Sequence, residues 1–225
     1  MTRLNSVLST EGLATLAVSG GTTPKLMFEE FVAAKFPWDH VHLFFVDERA
    51  VPPDHEQSNF RLAREHFLIP ARIPAKNVHR IQAELPPEEA SARYVEDICH
   101  FFGIQPDEVP RFDVVQRGMG ADAHTASLFP GEPLIDDRKT IAAAVYVKKL
   151  TQWRITLLPA TLIAARNTAS LVTGADKANA VYQVFFEDYD PNRLPSQLVT
   201  RQGKNSVWFL DEAAAARLPD RKRSA

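Results

Sequence analysis

The sequence predicts an α/β protein: a single domain over residues 1–225, built on a mostly parallel, doubly wound sheet with helices on both faces. Three observations predict it. Short apolar runs alternate with turns and longer amphipathic stretches along most of the chain, which is the order of βαβ units. The glycine-rich and polar clusters fall just after those runs, where open parallel sheets gather their ligands. No repeat, low-complexity tract or linker divides the 225 residues, a length that supports one sizeable core.

The elements come in this order. Leu13 to Val18 reads as a buried strand ending in Ser19-Gly20-Gly21. Pro24 to Ala34 is then a helix, with Thr22 or Thr23 as its cap and Pro24 in its first turn. Val41 to Val46 is the next strand and leads into Asp47-Glu48-Arg49; Ser58 to Phe67 is a helix with Ser58 or Asn59 near its start. Asn77 to Ile81 is a short strand, and a helix runs from Pro86 or Pro87 to Phe102. Phe112 to Gln116 is a strand entering a Gly118-Met119-Gly120 turn. Further strands are expected at Ile141 to Val147, Arg154 to Leu157, Ala169 to Val172 and Val207 to Leu210. Helices are expected at Pro159 to Arg166 and Ala175 to Phe186, and Asp211 caps a short terminal helix. From 213 to 225 the apolar pattern fades, so this segment is expected to be a loose tail with Arg221-Lys222-Arg223 as its basic end.

Composition narrows the function classes. Apolar residues make up 45% and charged residues 24%, with 26 Lys plus Arg against 28 Asp plus Glu. A net charge of −2 gives no overall attraction to nucleic acid or to an anionic membrane, so an anion site has to be local. No apolar run approaches the ~20 residues of a membrane helix, and Met1 to Glu11 lacks the apolar core of a signal peptide. A cytoplasmic location is the default expectation. The single cysteine, Cys99, rules out an intramolecular disulfide and reads as a core residue of its helix. The seven histidines, His40, His42, His55, His66, His79, His100 and His124, show no metal-binding spacing. No metal or cofactor is expected, and the oligomeric state stays open between monomer and small homo-oligomer.

Four clusters carry the candidate chemistry. In Ser19-Gly20-Gly21-Thr22-Thr23-Pro24 two glycines let backbone N–H groups approach a ligand at a helix start, which favours an anion. A plain tight turn accounts for it equally well, and the spacing matches neither nucleotide-binding glycine motif. In Asp47-Glu48-Arg49 the arginine fork suits a phosphate or carboxylate, although a surface ion pair explains the triplet too. The third, Gly118 to Gly131, delivers Asp122 and His124 to a strand end. Histidine takes and returns protons near neutral pH, and Asp122 either caps the next segment or orients the ring. Ser127 lacks the elbow of a serine nucleophile. In Thr173-Gly174-Ala175-Asp176-Lys177-Ala178, Lys177 falls in a first helical turn, where the dipole disfavours a cation unless an anionic ligand is shared. Arg166 is a weaker candidate, because a cation suits the end of the preceding helix.

With these clusters in hand, the chain resembles the 6-phosphogluconolactonase family. The resemblance rests on LAVSGGTTP (16–24), FFVDERAVPPDHEQSNF (44–60), GMGADAHTASLFPG (118–131), WRITLLPATLIAAR (153–166) and LVTGADKA (171–178), which occur in the family's order. It implies a fold shared with glucosamine-6-phosphate deaminases and ribose-5-phosphate isomerases. It also implies cofactor-free hydrolysis of 6-phospho-D-glucono-1,5-lactone in the pentose phosphate pathway. Carried onto this sequence, His124 is the proton-transfer residue, and Arg49, Arg166 and Lys177 anchor the sugar phosphate. Gly20, Gly21 and Thr22 line the pocket, Asp47 and Asn59 shape it, and Asp122 joins the substrate-binding set.

Three features depart from the family. Ala123 stands where a glycine is usual, and is strained if that position needs φ > 0. Arg117 stands where the strand is usually apolar, and either reaches outward or adds positive charge to the site. Only about a dozen residues precede Leu13, where the family generally carries a longer helical segment. Two rival readings stand beside the lactonase: a glucosamine-6-phosphate deaminase or isomerase, whose usual acid after the histidine motif is missing here, and a sugar-phosphate sensor without catalysis.

Overall fold

The computed structural model describes residues 1–219. Nine strands form two sheets: β1 (Ala14–Val18), β2 (Val41–Phe45), β3 (Asp47–Arg49), β4 (Val78–His79), β5 (Val114–Arg117), β6 (Ala142–Val147), β7 (Gln152–Leu157), β8 (Thr168–Val172) and β9 (Ser206–Leu210). The larger sheet has the order β4-β2-β1-β5-β8-β9, and every pairing in it is parallel. All five residues of the central β1 are buried, as expected of a parallel strand covered on both sides.

The larger sheet is the mostly parallel sheet expected, and a smaller sheet that the sequence did not set apart accompanies it. The order of the smaller sheet is β3-β7-β6 and both pairings are antiparallel. The β6–β7 pair is a hairpin, turned through Lys148–Leu150 with Thr151 at φ 50°. The Asp47-Glu48-Arg49 triplet is therefore not merely the end of β2: it is a strand, with Asp47 opposite Thr156 and Arg49 opposite Arg154. Three polar residues have little strand preference of their own, and their backbone is held by this distant partner.

The helices are α1 (Thr2–Glu11), α2 (Thr22–Ala33), α3 (Asn59–Ala63, continued by a π-helical turn Arg64–Leu68), α4 (Pro87–Phe102), α5 (Pro159–Ala164), α6 (Ala178–Phe186) and α7 (Gln197–Gln202). Among the described residues none is long and apolar enough to cross a membrane. Two helices were not expected from the periodicity, α1 and α7. Helix α1 buries only Leu4 and Val7, too sparse a stripe to stand out.

Several boundaries shift for physical reasons. Thr22 and Thr23 lie inside α2 rather than capping it, and Gly21 takes the cap position at φ 116° without a side-chain bond. Of Ser58 and Asn59, both expected near the start of α3, Ser58 is the cap, accepting from the Arg61 N–H. Lys177 ends a short 3-10 turn and precedes α6 instead of lying within it. Asp211 does cap, accepting from Ala214 N–H at 2.7 Å, but the residues after it form a series of turns and not a helix. Nor is the segment from 213 loose as far as 218: Ala214 is buried and Leu218 packs with it against Met119, Val172 and Val181. Arg221-Lys222-Arg223 lies outside the described residues. Cys99 is buried in the core face of α4.

Candidate active site

The glycine turn after β1, the strand β3 after β2, the loop after β5 and the turn after β8 meet at the carboxyl edge of the large sheet. Together they line a cavity of about 270 Å³ that includes Gly20, Gly21, Thr22, Asp47, Arg49, Asn59, His124 and Lys177. A larger hollow, about 500 Å³, lies beside β8 and β9 and is lined mostly by apolar side chains such as Leu4, Met27, Phe31 and Phe209. It offers few polar groups, so the smaller, polar cavity is the candidate site.

At the first turn, Ser19 N–H donates to Gln116 Oε1 at 3.0 Å, tying the end of β1 to β5. A β-carbon on Gly20 would come within 1.8 Å of Asn59 Oδ1, so glycine there is what admits Asn59 to the cavity wall. Asn59 in turn accepts a hydrogen bond from the Arg49 guanidinium, which also donates to Gln57 O at 2.8 Å. The aim of Arg49 is thus set by the loop that Gly20 leaves room for.

Glu48 builds that loop. It is almost fully buried and accepts from Ser58 Oγ at 2.9 Å, Asn59 N–H at 2.7 Å and Phe60 N–H at 2.8 Å. Burial pushes its carboxyl up, against the pull of these donors. A carboxylate receiving the first N–H groups of α3 is favoured by the helix dipole. Asp47, next to it, is buried and accepts from Ser127 Oγ at 2.7 Å, so Ser127 is a bracing hydroxyl, in keeping with its lack of a nucleophile's setting.

The sharpest geometry is in the loop after β5. His124 Nδ1 lies 2.6 Å from Asp122 Oδ1, and Lys149 Nζ donates to Asp122 Oδ2 at 2.8 Å. Hydrogen bonding to His124, then to Lys149, holds the Asp122 carboxyl well below the usual carboxylate range. With Nδ1–H donated to a carboxylate, Nε2 is left as the basic atom. Phe129 stacks on the imidazole at 4.1 Å between centroids. Asp122 does not line the cavity; the sequence placed it with the substrate-binding residues, and the structure puts it behind the histidine, where it orients the ring. Ala123 sits at φ 62° and Ala126 at φ 52°, so the strain expected of Ala123 is present, with a second such residue just beyond.

Arg166 is the other residue that the structure does not bring to the cavity. It follows α5 and precedes β8, at the amino end of the strands, where it pairs with Glu11 and with Asp113 Oδ1 at 3.1 Å. Beside Arg49, the arginine that does line the cavity is Arg154, which the sequence reading missed. Its side chain is largely buried, 3.8 Å from Asp47 Oδ2, and stands opposite Arg49 across the β3–β7 ladder. A charged residue in the middle of an otherwise strand-like run was the available signal. Lys177 also lines the cavity, 2.7 Å from Asp176 Oδ2, as do Thr23 and Thr173, whose hydroxyls meet at 2.7 Å. One oriented imidazole and three cations thus line the same cavity, a set of groups suited to proton transfer on a small anionic substrate.

Comparison with known proteins gives the family. Residues 1–208 match the family of glucosamine-6-phosphate isomerases/6-phosphogluconolactonase. The chain is similar to the 6-phosphogluconolactonase of Nostoc sp., 39% identical over 219 residues covering 97% of this chain and 90% of that one. It is also similar to the human 6-phosphogluconolactonase, 40% identical over 206 residues covering 89% and 79%. In three dimensions it resembles the 6-phosphogluconolactonase of Thermotoga maritima, with a TM-score of 0.81 and 29% identity over 93% of this chain and 90% of that one.

Proposed function

The chain belongs to the glucosamine-6-phosphate isomerase/6-phosphogluconolactonase family, and from that premise we propose that it hydrolyses 6-phospho-D-glucono-1,5-lactone to 6-phospho-D-gluconate, the lactone-opening step of the pentose phosphate pathway. The observation that carries the reading is the 2.6 Å pair of Asp122 and His124 beside a cavity lined by Arg49, Arg154 and Lys177.

Neutral His124 takes a proton from water at Nε2 as the water oxygen bonds to the lactone carbonyl carbon. Collapse of the tetrahedral intermediate breaks the bond from that carbon to the ring oxygen, and the imidazolium returns its proton to that oxygen. Asp122 steadies the imidazolium through Nδ1–H, and Lys149 steadies Asp122. Arg49, Arg154 and Lys177 hold the phosphate and ring oxygens, so that binding energy orients the ring for attack. One general acid–base group contributes about 10²–10⁴-fold, and a δ-lactone that also opens unaided needs little more.

The test is the decay of freshly generated 6-phosphoglucono-δ-lactone in mildly acidic buffer, with wild type beside His124→Ala. Wild type accelerates the decay, and the variant loses most of kcat with KM little changed. No acceleration by wild type overturns the lactonase reading, and an unchanged kcat in the variant removes His124 from its role.

A further inference from the structure

Arg117, the last residue of β5, is completely buried: 0% of its surface meets solvent. Burial pushes its guanidinium down to about 9, with no neighbouring carboxylate opposing that shift, so it stays charged near neutrality. A buried cation is ordinarily matched by a buried acid, since desolvation is costly and an apolar side chain of similar size would serve the fold as well or better. The charge at 117 is therefore poorly explained as a device for stability. It neither reaches outward nor faces the cavity, the two options open from sequence.

Its contacts give the explanation. Arg117 Nη1 donates to Thr125 Oγ1 at 3.2 Å and Nη2 donates to Thr200 Oγ1 at 3.2 Å; its guanidinium lies 5.2 Å from the Trp208 ring centre. Thr125 passes its own proton to Gly118 O at 3.1 Å, closing the loop that carries His124. Thr200, on α7, donates to Ser196 O at 2.6 Å. Ser196 then returns to the loop, donating its N–H to Ala123 O at 2.9 Å and its hydroxyl to His124 O at 3.4 Å. The chain of contacts runs from the strand end through Thr125 to His124, and back through α7 to the same guanidinium.

The loop needs such a grip. Ala123 and Ala126 both have positive φ, conformations that L residues hold only when their surroundings enforce them. Thr125 stands between them and directly follows His124. We propose that Arg117 is a positioning residue for the reaction: its fork locks the strained Gly118–Ala126 loop against α7 and so fixes the imidazole over the cavity. Its activity readout rests on the lactonase reading; its spectroscopic readout does not.

The test compares Arg117→Met, Arg117→Lys and Thr125→Val with wild type by kinetics, by thermal melting, and by the His124 Nδ1–H signal in ¹⁵N-histidine spectra, assigned through its loss in His124→Ala. Arg117→Met melts no lower than wild type, keeps KM within about twofold and loses about ten- to hundredfold in kcat, the scale of a displaced catalytic group. Arg117→Lys recovers part of that loss. Thr125→Val lowers kcat in the same way, and combining it with Arg117→Met adds less than the sum of the two, because both remove the Arg117–Thr125 contact. In Arg117→Met the His124 signal shifts or exchanges away. Unchanged kcat and an unchanged His124 signal in both Arg117→Met and Thr125→Val overturn the proposal, as does a kcat loss that only follows a lowered melting temperature. Should wild type itself fail to open the lactone, the functional reading falls, and the His124 signal alone decides the role of Arg117.

Discussion

A β-carbon on Gly120 would lie 2.1 Å from His124 Nδ1, so the imidazole occupies the space that any other side chain at 120 would need. The same β-carbon would fall 2.7 Å from Asp122 Oδ1. The turn between β5 and the histidine is thus built around a missing side chain, and the Asp122–His124 pair forms in the gap.

Gly120→Ala is expected to push the imidazole off Asp122 while leaving the cation wall in place. The kcat for lactone opening falls about hundredfold, the scale of a displaced reacting group, and KM moves by no more than about threefold. Steady-state kinetics checks it, and a kcat near that of wild type would mean that the ring has another productive seat.

Asp122 makes stability depend on acid. Its folded carboxyl is depressed, mainly by His124 and then by Lys149, below an unfolded value of about 3.9. A depressed group contributes stability that is fully present above the unfolded value and is lost as pH falls through the folded one. Wild type should therefore lose melting temperature below about pH 4, and Asp122→Asn should lose less over the same range. Parallel curves for the two proteins would contradict the pairing.

Ala123→Gly tests the strained turn. Relief of a left-handed alanine is worth roughly 1–2 kcal/mol, set against about 0.5–1 kcal/mol of chain entropy and about 0.8 kcal/mol for the buried methyl. The variant should stay within about 0.5 kcal/mol of wild type. Ala180→Gly, equally buried in the same cluster but helical, should lose roughly 1.5–2 kcal/mol. Denaturant unfolding of both decides whether the backbone at 123 or its methyl governs.

The two arginines of the 153–166 stretch should separate cleanly. Arg154→Lys keeps the charge but loses the fork, and KM is expected to rise about tenfold. Arg166→Ala leaves KM unchanged and costs at most about 1 kcal/mol, as for a partly exposed ion pair. A larger KM effect at Arg166 would return it to the substrate.

Much of this was legible in the chain. The buried runs Leu13 to Val18 and Val41 to Val46 announce strands because apolar residues cluster where water is excluded. Gly20, Gly21 and His124 stand out because they fall just after strands, where a parallel sheet gathers its ligands, and the family resemblance sets them above a plain turn. Asp47-Glu48-Arg49 was visible as a cluster but not as a strand, since its pairing partner lies a hundred residues away in sequence. Helix α1 and helix α7 were hidden by weak periodicity, their buried faces being short.

The fold class and the strand ends that line the cavity follow from the chain alone, because periodicity and turn chemistry are local properties. Which side chains meet is a matter of long-range packing. The motif WRITLLPATLIAAR holds two arginines, and nothing in its order says which one faces the substrate. The β3–β7 register sets Arg154 against Arg49 at the carboxyl edge of the sheet, while Arg166, reached after α5 has carried the chain back, lies at the amino edge with Glu11 and Asp113. Arg117 is the same lesson from within: its neighbours Thr125, Thr200 and Trp208 come from a loop, a helix and a strand that only long-range packing brings together.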